Sequence, residues 1–209
     1  AMDNDEYRRG KKTTHAVYGE AMGILAGDAL LNYAYETAAK ALLASPSDPA
    51  VAKAFALLAQ KAGIYGMVGG QVVDVESEDQ PDIERDKLDF IYQLKTGALI
   101  EASMMIGAIL AGAEEEAVAK TGQIAEKVGL AFQIQDDILD RTSTLEVLGK
   151  PVGSDVKNHK STYVTFEGIE QSQKDVERLS EEALELLFSF PEKNPFLEEL
   201  LRYLIHRKK

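Results

Sequence analysis

Three carboxylates fall within five residues of an otherwise apolar run, Phe132-Gln133-Ile134-Gln135-Asp136-Asp137-Ile138-Leu139-Asp140. At helical spacing Asp136 and Asp140 are i,i+4 neighbours and Asp137 and Asp140 are i,i+3, so all three can face one way. Like charges held that close repel, and the partial negative charge at a helix C-terminal end adds to the repulsion. A cation on that face resolves the conflict. Hard oxygen donors with no His or Cys beside them suit Mg²⁺, which takes a few carboxylates and completes its shell with phosphate oxygens and water. A solvated acidic helix end is the plain alternative, although Phe132, Ile134, Ile138 and Leu139 argue for a buried setting.

Cationic residues recur at three other places. Arg8-Arg9-Gly10-Lys11-Lys12-Thr13-Thr14-His15 gathers four bases close behind Asp3 and Asp5. Lys95-Thr96-Gly97 interrupts an apolar stretch. Gly149-Lys150-Pro151-Val152-Gly153-Ser154-Asp155 follows the acidic cluster, with Lys160 beyond it. Arginine offers a planar fork that grips phosphate oxygens, and lysine a compact point charge. Taken singly each has an ordinary explanation: Lys95 extending from its helix to water, Arg8 and Arg9 in a solvated tail, Lys150 in a turn. Together with the carboxylates they supply what a Mg²⁺–diphosphate site needs, metal on one side and cationic clamps on the other.

The elements that must position these groups are helical. The 209 residues suffice for one sizeable core, and 45% hydrophobic with 28% charged residues describes a globular chain. Ala, Leu, Glu, Lys and Met dominate, and no run shows sustained strand alternation. The pattern predicts helices over 15–43, 50–72, 86–112, 114–141, 172–189 and 195–206, in a single all-α domain covering residues 1–209. Ser45-Pro46-Ser47-Asp48-Pro49 reads as a turn with Ser47 or Asp48 as a cap. The segment from Arg141 to Ser161 reads as a long loop of the kind that often carries function.

Composition removes several classes of activity. The chain has no cysteine, which excludes disulfides, thiolate metal sites and cysteine nucleophiles and fits a cytoplasmic home. His15, His159 and His206 are too scattered to form a histidine metal site. A net charge of −12 argues against nucleic-acid binding, which demands a basic surface. The most lipophilic stretch, residues 98–113, falls short of the ~20 apolar residues a membrane span needs and carries Glu101. A helix buried in a core is the better reading, with no membrane span.

The ordered set of motifs resembles the trans-isoprenyl diphosphate synthases, or polyprenyl synthetases. Asp136-Asp137-Ile138-Leu139-Asp140 looks like their DDxxD motif. Residues 8–15 are similar to RRGxPTxH, with Lys12 where proline is usual. Lys95-Thr96 resembles the KT pair, Gly149 through Asp155 the GKxxGxD loop, and Gly69-Gly70-Gln71-Val72-Val73-Asp74 the GGQxxD segment. The motifs fall in the family's order across essentially the whole chain.

The resemblance implies an isoprenoid-synthase-type helical bundle around a central apolar cavity. It implies Mg²⁺-dependent head-to-tail condensation of an allylic diphosphate with isopentenyl diphosphate, farnesyl being the first choice of product and geranylgeranyl the second. Asp136, Asp137 and Asp140, with Asp3, would hold Mg²⁺, and Arg8, Lys95 and Lys150 would meet the departing diphosphate. Arg9 would bind isopentenyl diphosphate, Thr96 and Gln133 would contact the reacting chain, and Lys160 and Asp74 would join the diphosphate or metal-water network. Tyr33, Phe132, Met104 and Met105 are pocket-lining candidates whose spacing equally suits plain core. A homodimer is implied as well. One departure matters: the family's first aspartate-rich motif is represented only by its tail, Ala1-Met2-Asp3. The expectation is therefore a C-terminal part of a longer synthase domain, inactive by itself. The rivals are a class I terpene synthase, against which the paired arginines, KT and GKxxGxD speak, a non-catalytic subunit of a heteromeric prenyltransferase, and a plain helical scaffold.

Overall fold

Strong helix formers give helices nearly everywhere in the computed structural model, which describes residues 1–2, 4–78, 80, 83–143 and 161–205. A short antiparallel hairpin comes first, β1 (Tyr7–Arg8) against β2 (Lys11–Lys12). The helices described after it are α1 (Thr14–Tyr18), α2 (Glu20–Ala44), α3 (Pro49–Ala62), α4 (Met67–Glu76), α5 (Arg85–Ile91), α6 (Ala98–Leu110), α7 (Glu115–Thr142), α8 (Tyr163–Phe188) and α9 (Pro195–Ile205). A π-helical turn, Tyr92–Gly97, joins α5 to α6.

Helix α7 is the axis of the bundle. Its 28 residues span about 42 Å. Val118, Gly122, Ala125 and Gly129 continue into Ile134, Ile138 and Leu139 as a buried stripe at helical spacing. Small residues in the first half let α6 approach closely, while α8 and α9 cover the other side. Near the acidic end, Leu88, Ile91, Tyr92, Ala131, Ile134, Ile138, Tyr163 and Val176 form one apolar cluster. Ile124, Val128, Ala183, Leu184 and Leu201 form a second, and Ala54, Ile109 and Val118 a third. The apolar stretch 98–113 is thus largely α6, and among the described residues no helix is long and apolar enough to cross a membrane.

Helix boundaries follow local chemistry more closely than the apolar pattern. Asp48 caps α3, its carboxylate accepting the Ala50 N–H at 2.9 Å, with Pro49 in the first turn. The predicted helix over 15–43 is broken between α1 and α2 at Gly19, where φ is +89°. The predicted helix over 50–72 is split between α3 and α4 by the Gly63–Gly66 connection. Helix α8 begins at Tyr163, earlier than the predicted 172, and bends at Gly168. The hairpin was not legible, because two-residue strands carry no alternation.

Helix α2 differs from the rest. None of its residues is buried, and Met22, Leu25, Leu30 and Tyr33 stand exposed.

Candidate active site

Consecutive residues on a helix lie about 100° apart, so an interface that covers one leaves the next at its edge. That separates the aspartates of α7. Asp136 is half-buried, whereas Asp137 is only 4% exposed and turned into the interface of α7 with the π-helical turn and α8. A carboxylate in that setting must be hydrogen-bonded. The Asp137 Oδ2 accepts from the Tyr92 hydroxyl and from the Tyr163 backbone N–H at 2.9 Å. Gln133 Nε2 approaches its Oδ1 at 3.4 Å. Asp140 is 2% exposed, and neither of its carboxylate oxygens has a hydrogen-bond partner among the described residues. The three carboxylates therefore do not share one open face as their spacing suggests. Among the described residues no group of three acidic or histidine side chains is placed to hold a metal together.

Facing α7 is the π-helical turn, which the sequence pattern does not announce. One extra residue per turn shifts side chains out of α-helical register, and such turns recur at functional sites. Here it presents Lys95 and Thr96. The Lys95 ammonium pairs with Asp74 of α4 at 2.7 Å, and the Thr96 hydroxyl donates to Gln133 Oε1 of α7 at 2.9 Å. Two glycines let the turn sit between its neighbours. A Cβ on Gly70 of α4 would lie 2.3 Å from the Lys95 nitrogen, and one on Gly129 of α7 would lie 3.0 Å from the Gly97 Cα. The GGQxxD, KT and DDxxD segments thus meet. The first supplies both the close approach and the carboxylate that holds Lys95.

The basic stretch near the start folds as a tight hairpin. Arg9 and Gly10, with φ of +52° and +74°, form its two-residue turn, a conformation in which Gly is favoured and Arg9 is strained. Thr13 closes the base, its hydroxyl donating to the Asp5 carbonyl at 2.9 Å and its N–H to the Glu6 carbonyl at 2.9 Å. Pairing sets Arg8 directly opposite Lys11, both exposed. Like charges in that position destabilise a hairpin unless an anion lies between them.

The remaining site candidates divide. Asp3, Lys150 and Lys160 lie outside the described residues, as does the Gly149–Asp155 loop. Met104 packs with the second core cluster and Met105 with the third, so both serve as core. Tyr33 lies exposed on α2, 5.8 Å from the Lys40 ammonium. A cleft of about 590 Å³ between α7 and α8 is lined by Gln123, Glu126, Lys127 and Glu182, among others, and by none of the predicted site residues. Sequence reasoning passed over Tyr92 and Tyr163. The Tyr163 ring carries the Arg85 guanidinium 4.2 Å above it, and its hydroxyl donates to Asp175 at 3.0 Å. Burial, followed by the Asp175 contact, pushes the Tyr163 phenol up, against the opposing pull of Arg85.

Helices wrapped on an aspartate-bearing axis, with a lysine-bearing turn set against it, define the isoprenoid-synthase class of all-α fold. A geranyltransferase from Helicobacter pylori, solved with magnesium and isoprenyl diphosphate, superposes with a TM-score of 0.83 at 32% identity, covering 97% of this chain and 65% of that one. The polyprenyl synthetase family model matches residues 1–193, and the chain belongs to that family. It is 46% identical over 207 residues to a geranylgeranyl diphosphate synthase of Cyanophora paradoxa, spanning 99% of this chain and 69% of the relative. It is 44% identical to the chloroplastic geranylgeranyl pyrophosphate synthase of Catharanthus roseus, spanning 99% of this chain and 58% of that protein. The chain thus corresponds to roughly three-fifths to two-thirds of these relatives' length. With a chloroplastic protein among them, family membership does not carry the expected cytoplasmic location.

Proposed function

We propose that the protein of which these residues form part is a trans-prenyltransferase. It joins an allylic diphosphate to isopentenyl diphosphate, head to tail, and makes geranylgeranyl diphosphate. The observation that carries this reading is the seating of the Lys95 turn on the aspartate-bearing end of α7, tied there through Tyr92–Asp137 and Thr96–Gln133. The names of the relatives favour a geranylgeranyl product over the farnesyl product that the resemblance places first.

Mg²⁺ fits the residues present. The donors are hard oxygens, and a buried carboxylate such as Asp140, both of whose oxygens lack a partner among the described residues, is costly unless a cation or its water shell satisfies it. Asp136 and Asp140 would hold the ion with Asp3, and Asp137 would serve by bracing α7. When bound, the metal would neutralise the negative charge that grows on the allylic diphosphate as it departs.

The chain's own residues do the rest. Asp74 keeps the Lys95 ammonium extended and oriented, so its charge is in place before the C–O bond breaks. Thr96 and Gln133 lock the turn that carries it. Arg8 and Lys11, opposed across the hairpin, suit a diphosphate placed between them, and Arg9 at the turn would meet isopentenyl diphosphate. The allylic cation so formed must be kept from water, which the apolar cluster around Ile134 and Ile138 favours. Bound pyrophosphate takes the final proton. Homodimer formation would cover the exposed apolar residues of α2.

The test is a condensation assay on the full-length protein with Mg²⁺, radiolabelled isopentenyl diphosphate and allylic diphosphates of increasing length, with light scattering on the same sample. Geranylgeranyl diphosphate and twice the chain mass are expected. Failure to condense any allylic diphosphate, despite Mg²⁺-dependent pyrophosphate binding, would sink the synthase reading in favour of a non-catalytic subunit.

A further inference from the structure

A buried carboxylate is placed only as accurately as its donors place it, and Asp137 receives donors from two other elements. The Tyr92 hydroxyl comes from the start of the π-helical turn, three residues before Lys95. The Tyr163 N–H comes from the first turn of α8. The same N–H lies 3.1 Å from the Tyr92 oxygen, so the three groups form one node. Gln133 extends it, reaching Asp137 on one side and taking the Thr96 hydroxyl on the other. The turn is therefore tied to α7 twice, through Tyr92–Asp137 and through Thr96–Gln133. Both ties flank Lys95.

Tyr92 is 6% exposed and packs among Leu88, Ile91 and Ile138. An apolar ring of the same shape would fill that space, so packing alone does not require its hydroxyl. We propose that Tyr92 is a positioning residue. Through Asp137 it sets the rotation of α7 that offers Asp136 and Asp140, and it holds that rotation in register with Lys95. The inference rests on the reading of Asp136 as a ligand of Mg²⁺–diphosphate. Groups that orient metal-binding carboxylates without touching the metal commonly change affinity by about 10–100-fold when removed.

The test uses Tyr92→Phe, which deletes one oxygen and keeps the ring. Full-length protein is titrated calorimetrically with inorganic pyrophosphate in the presence and absence of Mg²⁺, beside Asp136→Asn, Asp137→Asn and the Tyr92→Phe/Asp137→Asn pair. The expected result is an unchanged helical circular dichroism spectrum and about tenfold weaker Mg²⁺-dependent pyrophosphate binding. The double variant should be no weaker than Asp137→Asn alone, because Tyr92 acts through Asp137. Tyr92→Phe binding as the parent does, even with a lowered melting temperature, would reduce the hydroxyl to a stabilising contact and overturn the proposal. Additive losses in the double variant would overturn it as well. Should Asp136→Asn bind like the parent, the ligand reading beneath the proposal fails. A parent and Asp136→Asn that differ, with no effect of Tyr92→Phe, leaves that reading standing and removes only the role of Tyr92.

Discussion

Asp136→Ala in the full-length protein is expected to cut prenyl transfer by about 10²–10³-fold, the usual loss when one preorganised contact to a developing anion is removed. Fold should be spared. The side chain is half-buried at the edge of the α7 interface, and truncating a carboxylate beside Asp137 and Asp140 relieves charge repulsion. Steady-state kinetics with circular dichroism and thermal melting separates the two effects. Near-parental turnover would remove Asp136 from the metal site. Asp137→Ala makes the informative contrast. It deletes the buried acceptor that the Tyr92 hydroxyl and the Tyr163 N–H share, and losing such a buried hydrogen-bond partner costs about 1–3 kcal/mol. Its loss of activity should therefore come with a clear fall in melting temperature, where that of Asp136→Ala does not.

The contrast also marks how far the sequence could be read. The acidic cluster of residues 132–140 and its apolar setting were legible because the residue types stand out in the chain. The unequal burial of the three aspartates was not. Spacing says which residues can share a helix face, but the element packed on that face decides which are covered, and here the partners come from 45 positions upstream and 26 downstream of Asp137. Lys95 was picked out as a cation in an apolar setting, and Asp74 as a candidate for a diphosphate or metal-water network. Their direct pairing depends on a π-helical turn that no periodicity encodes. Helix α7 was placed to within a residue at each end, since a 28-residue stripe averages out local preferences. Breaks at Gly19 and Gly63–Gly66 were missed because the flanking apolar pattern runs on through them. The hairpin of residues 7–12 was read only as a cationic cluster. Its fold follows from Arg9-Gly10 at the turn and from Thr13 closing the base, signals too short for any pattern of alternation.

Gly70→Ala is expected to damage both stability and catalysis, though residue 70 would touch no substrate. The added Cβ would meet the Lys95 nitrogen at 2.3 Å and the Leu94 carbonyl carbon and Cβ at 2.8 Å. Two of those three atoms are backbone, and the π-helical turn that holds them is braced from behind by Gly129 of α7. Rotamer adjustment cannot relieve the contact, so α4 must move away from the turn. Asp74 lies one helical turn beyond Gly70 and moves with it, which stretches the 2.7 Å pair with Lys95. Overpacking of this kind costs about 1–3 kcal/mol, or about 2–12 °C of melting temperature for a chain of this size. Displacing a charge that must be preset by about 1 Å can cost on the order of 10²-fold in rate. Gly107→Ala on α6 is the control. Nothing lies within 4 Å of its added Cβ, and alanine is the better helix former by about 1 kcal/mol, so it should be neutral or slightly stabilising with unchanged turnover. If Gly70→Ala melts and turns over like Gly107→Ala, the close approach of α4 to the Lys95 turn is not what sets the lysine in place. If it loses turnover far beyond its loss of stability, the glycine pair of GGQxxD acts at a distance through Asp74, and the segment belongs to the site by virtue of what it lets approach.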